Sequence, residues 1–112
     1  MKTLKPKICE GKMNTLEKLQ SKLAGSMLTV GSYKYKDTAD CVQCADGTTI
    51  SVQASRFHYC TPRTDKGPYT HVEVWQASAP VTEFDYDKEY PSAYVPIEKV
   101  VEFIDNHGGF KP

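Results

Sequence analysis

Ser51-Val52-Gln53-Ala54-Ser55-Arg56-Phe57-His58-Tyr59-Cys60-Thr61-Pro62-Arg63 begins as a strand and ends as something else. Ile50, Val52 and Ala54 alternate with Ser51, Gln53 and Ser55, the period-2 pattern of a strand with one face on a core. From Arg56 onward the phase that carried apolar residues carries Arg56, His58 and Cys60, and the rings Phe57 and Tyr59 fall on the polar phase. Either a bulge re-aims the strand here or a cation points along the core face, where it needs an anionic or hydrogen-bonding partner. Two arginines, a histidine, a phenol, a thiol and two hydroxyls within nine residues form a dense donor set, and no known catalytic motif matches it. This run is the candidate functional site.

Upstream, Asp46-Gly47 between Ala39–Ala45 and Thr48–Phe57 predicts a β-hairpin. Downstream, the polar loop Thr61–Pro68 leads to a second strand, Tyr69–Ala77, antiparallel to the first across that long connection. In it Val72 and Val74 share one face, and Tyr69, His71, Glu73 and Trp75 share the other. That second face is either one wall of the site or an interface, or else it packs Trp75 beneath a helix and pairs Glu73 with a lysine. Met27–Lys36 is β-favouring, with Tyr33 and Tyr35 alternating with Lys34 and Lys36 around Gly31. Ser78–Ser92, with Pro80, Pro91, Phe84, Tyr86 and alternating acids, reads as an extended acidic loop or a charge-protected edge strand.

Two helices are expected. Asn14 caps the first and Glu17 completes a capping box; Leu16, Leu19 and Leu23 form the apolar stripe over Thr15–Ala24, and Gly25 ends it. The second starts with Pro96 at its first position, carries Ile97, Val100, Val101 and Ile104 at i, i+3, i+4 and i+7, and ends near His107 and Gly108. The fold class is therefore α+β, an antiparallel sheet of four to five strands with both amphipathic helices on one face. Residues 13–112 form a single domain, and residues 1–12 form a lysine-rich arm.

The chain has 112 residues, enough for one modest core. Fourteen basic and fourteen acidic residues balance, which argues against direct nucleic-acid or membrane-surface binding driven by a basic excess. Charge is uneven along the chain: six lysines up to Lys22 face Glu10 and Glu17, whereas Glu83, Asp85, Asp87 and Glu89 face Lys88. Neither a spanning segment nor a signal peptide is apparent, so a cytoplasmic protein with free thiols is expected. Cys41 and Cys44 have C-x-x-C spacing, which His58 and Cys60 would complete as a four-ligand zinc set. Residues three apart on a strand point to opposite faces, however, and a redox pair would want a helix N-terminus at Cys41; buried thiols are the preferred reading, with no metal and no cofactor.

Three functions fit these residues. In a ligand-sequestering module Arg56 and Arg63 would bind a phosphate or carboxylate, Tyr59 or Trp75 would stack on a ring, and Ser55, His58 and Thr61 would set orientation, with His71 on the adjoining strand. In a protein-binding inhibitor the aromatic and acidic surface of Glu83, Asp85, Tyr86 and Asp87 would occlude a basic groove of a larger partner. In a hydrolase Cys60 would be the nucleophile and His58 or His71 the base, but no oxyanion element or third orienting acid is recognisable.

The run Ser55–Arg63, followed by Tyr69–Val74 and by Tyr94-Val95-Pro96 leading to a helix that ends in His107-Gly108-Gly109, resembles a group of small bacteriophage-encoded accessory proteins over about residues 51–110. Such proteins often counter host immunity by inhibiting a CRISPR effector or by sponging a nucleotide immune signal. The resemblance implies action in the cytoplasm of a bacterial host, on a small anionic ligand or a host immune protein. A domain this small has little room for a deep cavity, so a homo-oligomer with its pocket at a subunit interface is expected.

Overall fold

The computed structural model describes residues 14–25 and 27–112. The lysine-rich arm lies outside the described residues. In chain order the elements are α1 (Thr15–Ala24), β1 (Met27–Val30), β2 (Tyr33–Lys36), β3 (Val42–Gln43), β4 (Thr49–Gln53), β5 (His71–Trp75), β6 (Ser92–Pro96) and α2 (Ile97–Asn106). The α+β class holds, with helices packed on an antiparallel sheet.

β3, β4, β5 and β6 form a four-stranded meander in that spatial order. Registers of Val42 with Ile50, Val52 with Val74, and Val72 with Val95 put six β-branched side chains on one face, all of them buried. Each contributes about 1.5–3 kcal/mol on leaving water. Against them pack Leu19 and Leu23 of α1 and Ile97, Val100, Phe103 and Ile104 of α2, which complete one core. Leu16, the third leucine of the expected stripe, stays 37% exposed, and the largest contribution of α2 is Phe103, which the periodicity count passed over.

α1 spans the expected residues. Its capping box is formed at both bonds: the Glu17 amide donates to Asn14 Oδ1 at 2.8 Å and the Asn14 amide donates to Glu17 Oε1 at 3.0 Å. Gly25 closes it at φ 55°, where an added Cβ would stand 3.2 Å from Lys36 Cε, so the glycine lets the Lys36 stem pass. α2 starts one residue later than expected. Pro96 ends β6 and caps the helix from outside it, and His107 is the C-cap rather than a residue of the last turn.

Two segments differ from their expected form. Met27–Lys36 is a hairpin of its own rather than one strand: Gly31 and Ser32 make a two-residue loop with positive φ, 62°, at the first position, as a type II′ turn requires. The resulting two-stranded sheet is separate from the meander. Tyr94-Val95-Pro96 leads into the helix as expected, but as the end of a strand. In β6, Ala93 and Tyr94 lie opposite Glu73 alone, between the pairs Val72–Val95 and Val74–Ser92, and Tyr94 takes φ 53°. This bulge re-aims the Tyr94 ring.

Candidate functional site

The break of phase at Arg56 has a simple cause. β4 ends at Gln53, and the chain turns out of the sheet, so neither of the expected alternatives, a bulge within the strand or a cation on the core face, occurs. Ala54, Ser55 and Cys60 point inward while Arg56, Phe57 and Tyr59 point out. Ser55 is the hub of the turn. Its Oγ accepts from the Phe57 amide at 3.0 Å and lies 2.6 Å from His58 Nδ1, and its carbonyl accepts from the His58 amide and from Cys60 Sγ. The chain rejoins the sheet at Thr61, whose amide donates to the His71 carbonyl at 3.0 Å.

The expected site residues fall into two groups. Ser55, Arg56 and His58 lie beside the β1–β2 hairpin. The Arg56 guanidinium donates to the Lys34 carbonyl at 2.6 Å, pairs with Asp65 at 3.4 Å, and lies 5.2 Å from the Tyr33 ring and 4.9 Å from the Phe57 ring. It clamps hairpin to turn. Between them is a cleft of about 440 Å³ lined by Leu28, Tyr33, Tyr35, Phe57 and His58, with Lys36, Asp37 and Thr38 at its end. Burial pulls the His58 pKa below its usual 6.5; Glu73 opposes that pull, and Lys36 and Arg63 add to it.

Tyr59, Thr61, Arg63 and His71 form the second group, on the outward side of the meander. Arg63 stacks 4.9 Å from the Tyr59 ring, and Tyr59 lies 6.0 Å from Tyr94, whose amide donates to the Tyr59 carbonyl. The Tyr59 amide donates to Glu73 Oε2 at 3.3 Å, and Thr70 Oγ1 lies 2.9 Å from His71 Nδ1. The two arginines therefore diverge: Arg56 serves the hairpin and Arg63 the open face. Trp75 is half-buried further along, its indole donating to the Lys88 carbonyl at 3.4 Å.

The acidic segment is a loop anchored by two of the four expected interface residues. Tyr86 accepts from the Ala77 amide at 2.9 Å and Glu83 from Asn106 at 2.9 Å. Asp85 and Asp87 are exposed.

Sequence reasoning passed over Lys36 and Tyr69. Lys36 is 5% exposed; its ammonium donates to the Ala54 carbonyl at 2.6 Å and to Tyr69 Oη at 3.3 Å, 4.9 Å from that ring. Burial holds its pKa below 10.5, with Asp65 acting the other way. Tyr69 was expected to share a face with His71, but β5 starts only at His71, and the ring turns into the core. Its hydroxyl donates to the Thr64 carbonyl, and burial pushes its pKa up to about 12. Gln20 of α1 brackets the same residue, donating to its carbonyl and accepting from its amide.

Cys60 is 1% exposed, donates to backbone carbonyls, and burial pushes its pKa up, which favours the thiol over the nucleophilic thiolate. Cys41 is exposed and Cys44 buried, and among the described residues no three His, Cys, Asp or Glu side chains converge as a metal would need.

Fold and site together define a small α+β domain that holds an aromatic cleft between a detached hairpin and a turn of its main sheet. No protein-family model matches the chain, and no curated protein or solved structure matches it. Among the described residues no helix is long and apolar enough to cross a membrane.

Proposed function

We propose that this protein acts by binding, and that the cleft between the hairpin and residues 54–59 takes a small anionic ligand with a planar ring, of nucleotide type. The reading makes the chain a sequestering protein of the phage anti-defence kind, working in the cytoplasm of a bacterial host, which is the function its resemblance suggests. The observation that carries it is the cleft, whose about 440 Å³ falls within the usual range for small-molecule sites. Tyr33, Tyr35 and Phe57 offer ring faces for stacking. Arg56 lies over two of those rings, with 39% of its side chain exposed and guanidinium donors beyond those given to Lys34 and Asp65.

The test is a thermal-shift and native mass-spectrometry screen of linear and cyclic nucleotides. A binding nucleotide at a hundred times its Kd adds about 2.7 kcal/mol of stability. Phe57→Ala, which removes one stacking wall from an exposed side chain, should weaken that ligand by about 1–3 kcal/mol without unfolding the domain. Absence of any retained anion and of any shift across the panel would sink the reading.

One observation favours a second reading, an inhibitor of the anti-CRISPR type that occludes a nuclease effector. Asp85 and Asp87 are exposed carboxylates on a loop anchored by Tyr86 and Glu83, so they are presented at defined positions. Under that reading Asp85→Asn with Asp87→Asn abolishes capture of the effector and leaves nucleotide shifts untouched.

A further inference from the structure

The β1–β2 hairpin is an anomaly in a natural fold. Two strands alone are marginal in water; a third strand or a packed face is needed to hold them. Arg56 and the Lys36 side chain tie β2 to the domain, but β1 is an edge. Edges are ordinarily blunted by charge, proline or a bulge. Met27-Leu28-Thr29-Val30 has none of these.

The pairing pattern shows which groups the edge presents. Val30 pairs with Tyr33 next to the loop, Thr29 with Lys34 and Leu28 with Tyr35. In an antiparallel pair, residues that exchange bonds alternate with residues whose backbone groups face away. The Lys34 carbonyl accepts from Arg56, outside the hairpin, so Lys34 and its partner Thr29 are of the outward type. The Thr29 amide and carbonyl thus face the free side of β1, and among the described residues nothing bonds to them. Leu28 and Val30 share a face with Tyr33 and Tyr35, and Met27, Leu28, Val30 and Tyr33 are 50, 38, 62 and 52% exposed.

We infer that β1 is the seam of a twofold dimer, in which Thr29 of one copy exchanges backbone bonds with Thr29 of the other and two hairpins become one four-stranded sheet. The inference does not depend on what the cleft binds. A second copy fits this edge because β1 is uncharged, so self-pairing sets no like charges opposite each other, while Lys34 and Lys36 remain on the far strand. In this register Leu28 faces Val30 of the second copy, and the apolar faces run together. Edge-to-edge pairing leaves both faces of the joined sheet in solvent, so the seam is smaller than the ~800 Å² per partner of a standard interface, the dimer is weak and its population follows concentration.

Sedimentation velocity of the full chain over a wide concentration range, with hydrogen exchange read at both ends, tests this. The expected result is a monomer–dimer equilibrium in which the amides of 27–30 gain protection at high concentration. Thr29→Glu should raise the dimer dissociation constant at least about tenfold, because the new carboxylate pairs with Lys34 in its own hairpin but meets its equivalent across the twofold axis. Its melting temperature at low concentration should match that of the parent, and Thr29→Ser should dimerise normally. A chain that stays monomeric throughout overturns the proposal, as does a dimer that Thr29→Glu leaves intact or whose protection lies elsewhere. A monomer with the Thr29 amide already protected overturns it too, because some other part of the chain would then cover the edge.

Discussion

His58 sits in a turn that disfavours its charged form. Its Nδ1 lies 2.6 Å from Ser55 Oγ, which also accepts from the Phe57 amide. Burial depresses the folded pKa below 6.5. As pH falls through 6.5 the unfolded chain takes up this proton before the folded one does, so stability rises with pH across the window between the folded value and 6.5 and is lost on acidification. Melting temperatures from pH 7.5 down to 5 should fall more steeply for the parent than for His58→Gln, which cannot take up the proton. Parallel curves would mean that His58 titrates alike in both states. Asp46, held down to about 2 by its hydrogen bonds to Thr48 and His107, keeps its charge through this range and does not confuse the comparison.

The two helices are secured by different means. α1 places Leu19 and Leu23 in the core and relies on its capping box, whereas α2 buries four side chains and has no side-chain cap. Asn14→Ala removes one acceptor from the first turn and should cost about 1 kcal/mol. Phe103→Ala empties a fully buried ring site and should cost about 3–5 kcal/mol. Urea unfolding with an unchanged m-value checks both, and equal losses would show that α1 is held by more than its cap and two leucines. Among the strands, β6 hid from a reading by pattern because Ser92–Pro96 ends in proline and its bulge interrupts the alternation.

The molecule as a whole combines a packed meander with an appended hairpin. Val52, Val72 and Val74 are at most 1% exposed, while every residue of β1 is exposed. Local opening should therefore be unequal, since segments with little buried apolar surface detach at low cost. Hydrogen exchange of the dilute protein should find the amides shared between Leu28 and Tyr35 and between Val30 and Tyr33 exchanging far faster than those of β4 and β5. Arg56→Ala, by releasing the clamp on Lys34, should speed the hairpin further and leave the meander unchanged. Uniform protection across both sheets would contradict the picture of two units with separate stabilities.

Local chemistry alone determined the helices, the Asp46-Gly47 turn and the alternation of β4 and β5. Asn14 with Glu17, the leucine spacing and the Ile97–Ile104 stripe each act within one or two turns of chain. Gly31-Ser32 carried a legible hairpin signal as well, although the surrounding run passed for one strand because both of its arms favour the same conformation. The dense donor run at 51–63 spans the turn that leaves the sheet beside the cleft, but composition could not say how its side chains divide. That division is tertiary: Arg56 is claimed by a carbonyl 22 positions earlier and a carboxylate nine positions later, while Arg63 stacks on Tyr59. Lys36 and Tyr69 likewise alternate in sequence with exposed residues yet form a buried pair, because the closure that brings Ala54 over the Lys36 ammonium joins segments far apart in sequence. No local preference encodes such a contact; it exists only once the sheet, the hairpin and α1 have closed around it.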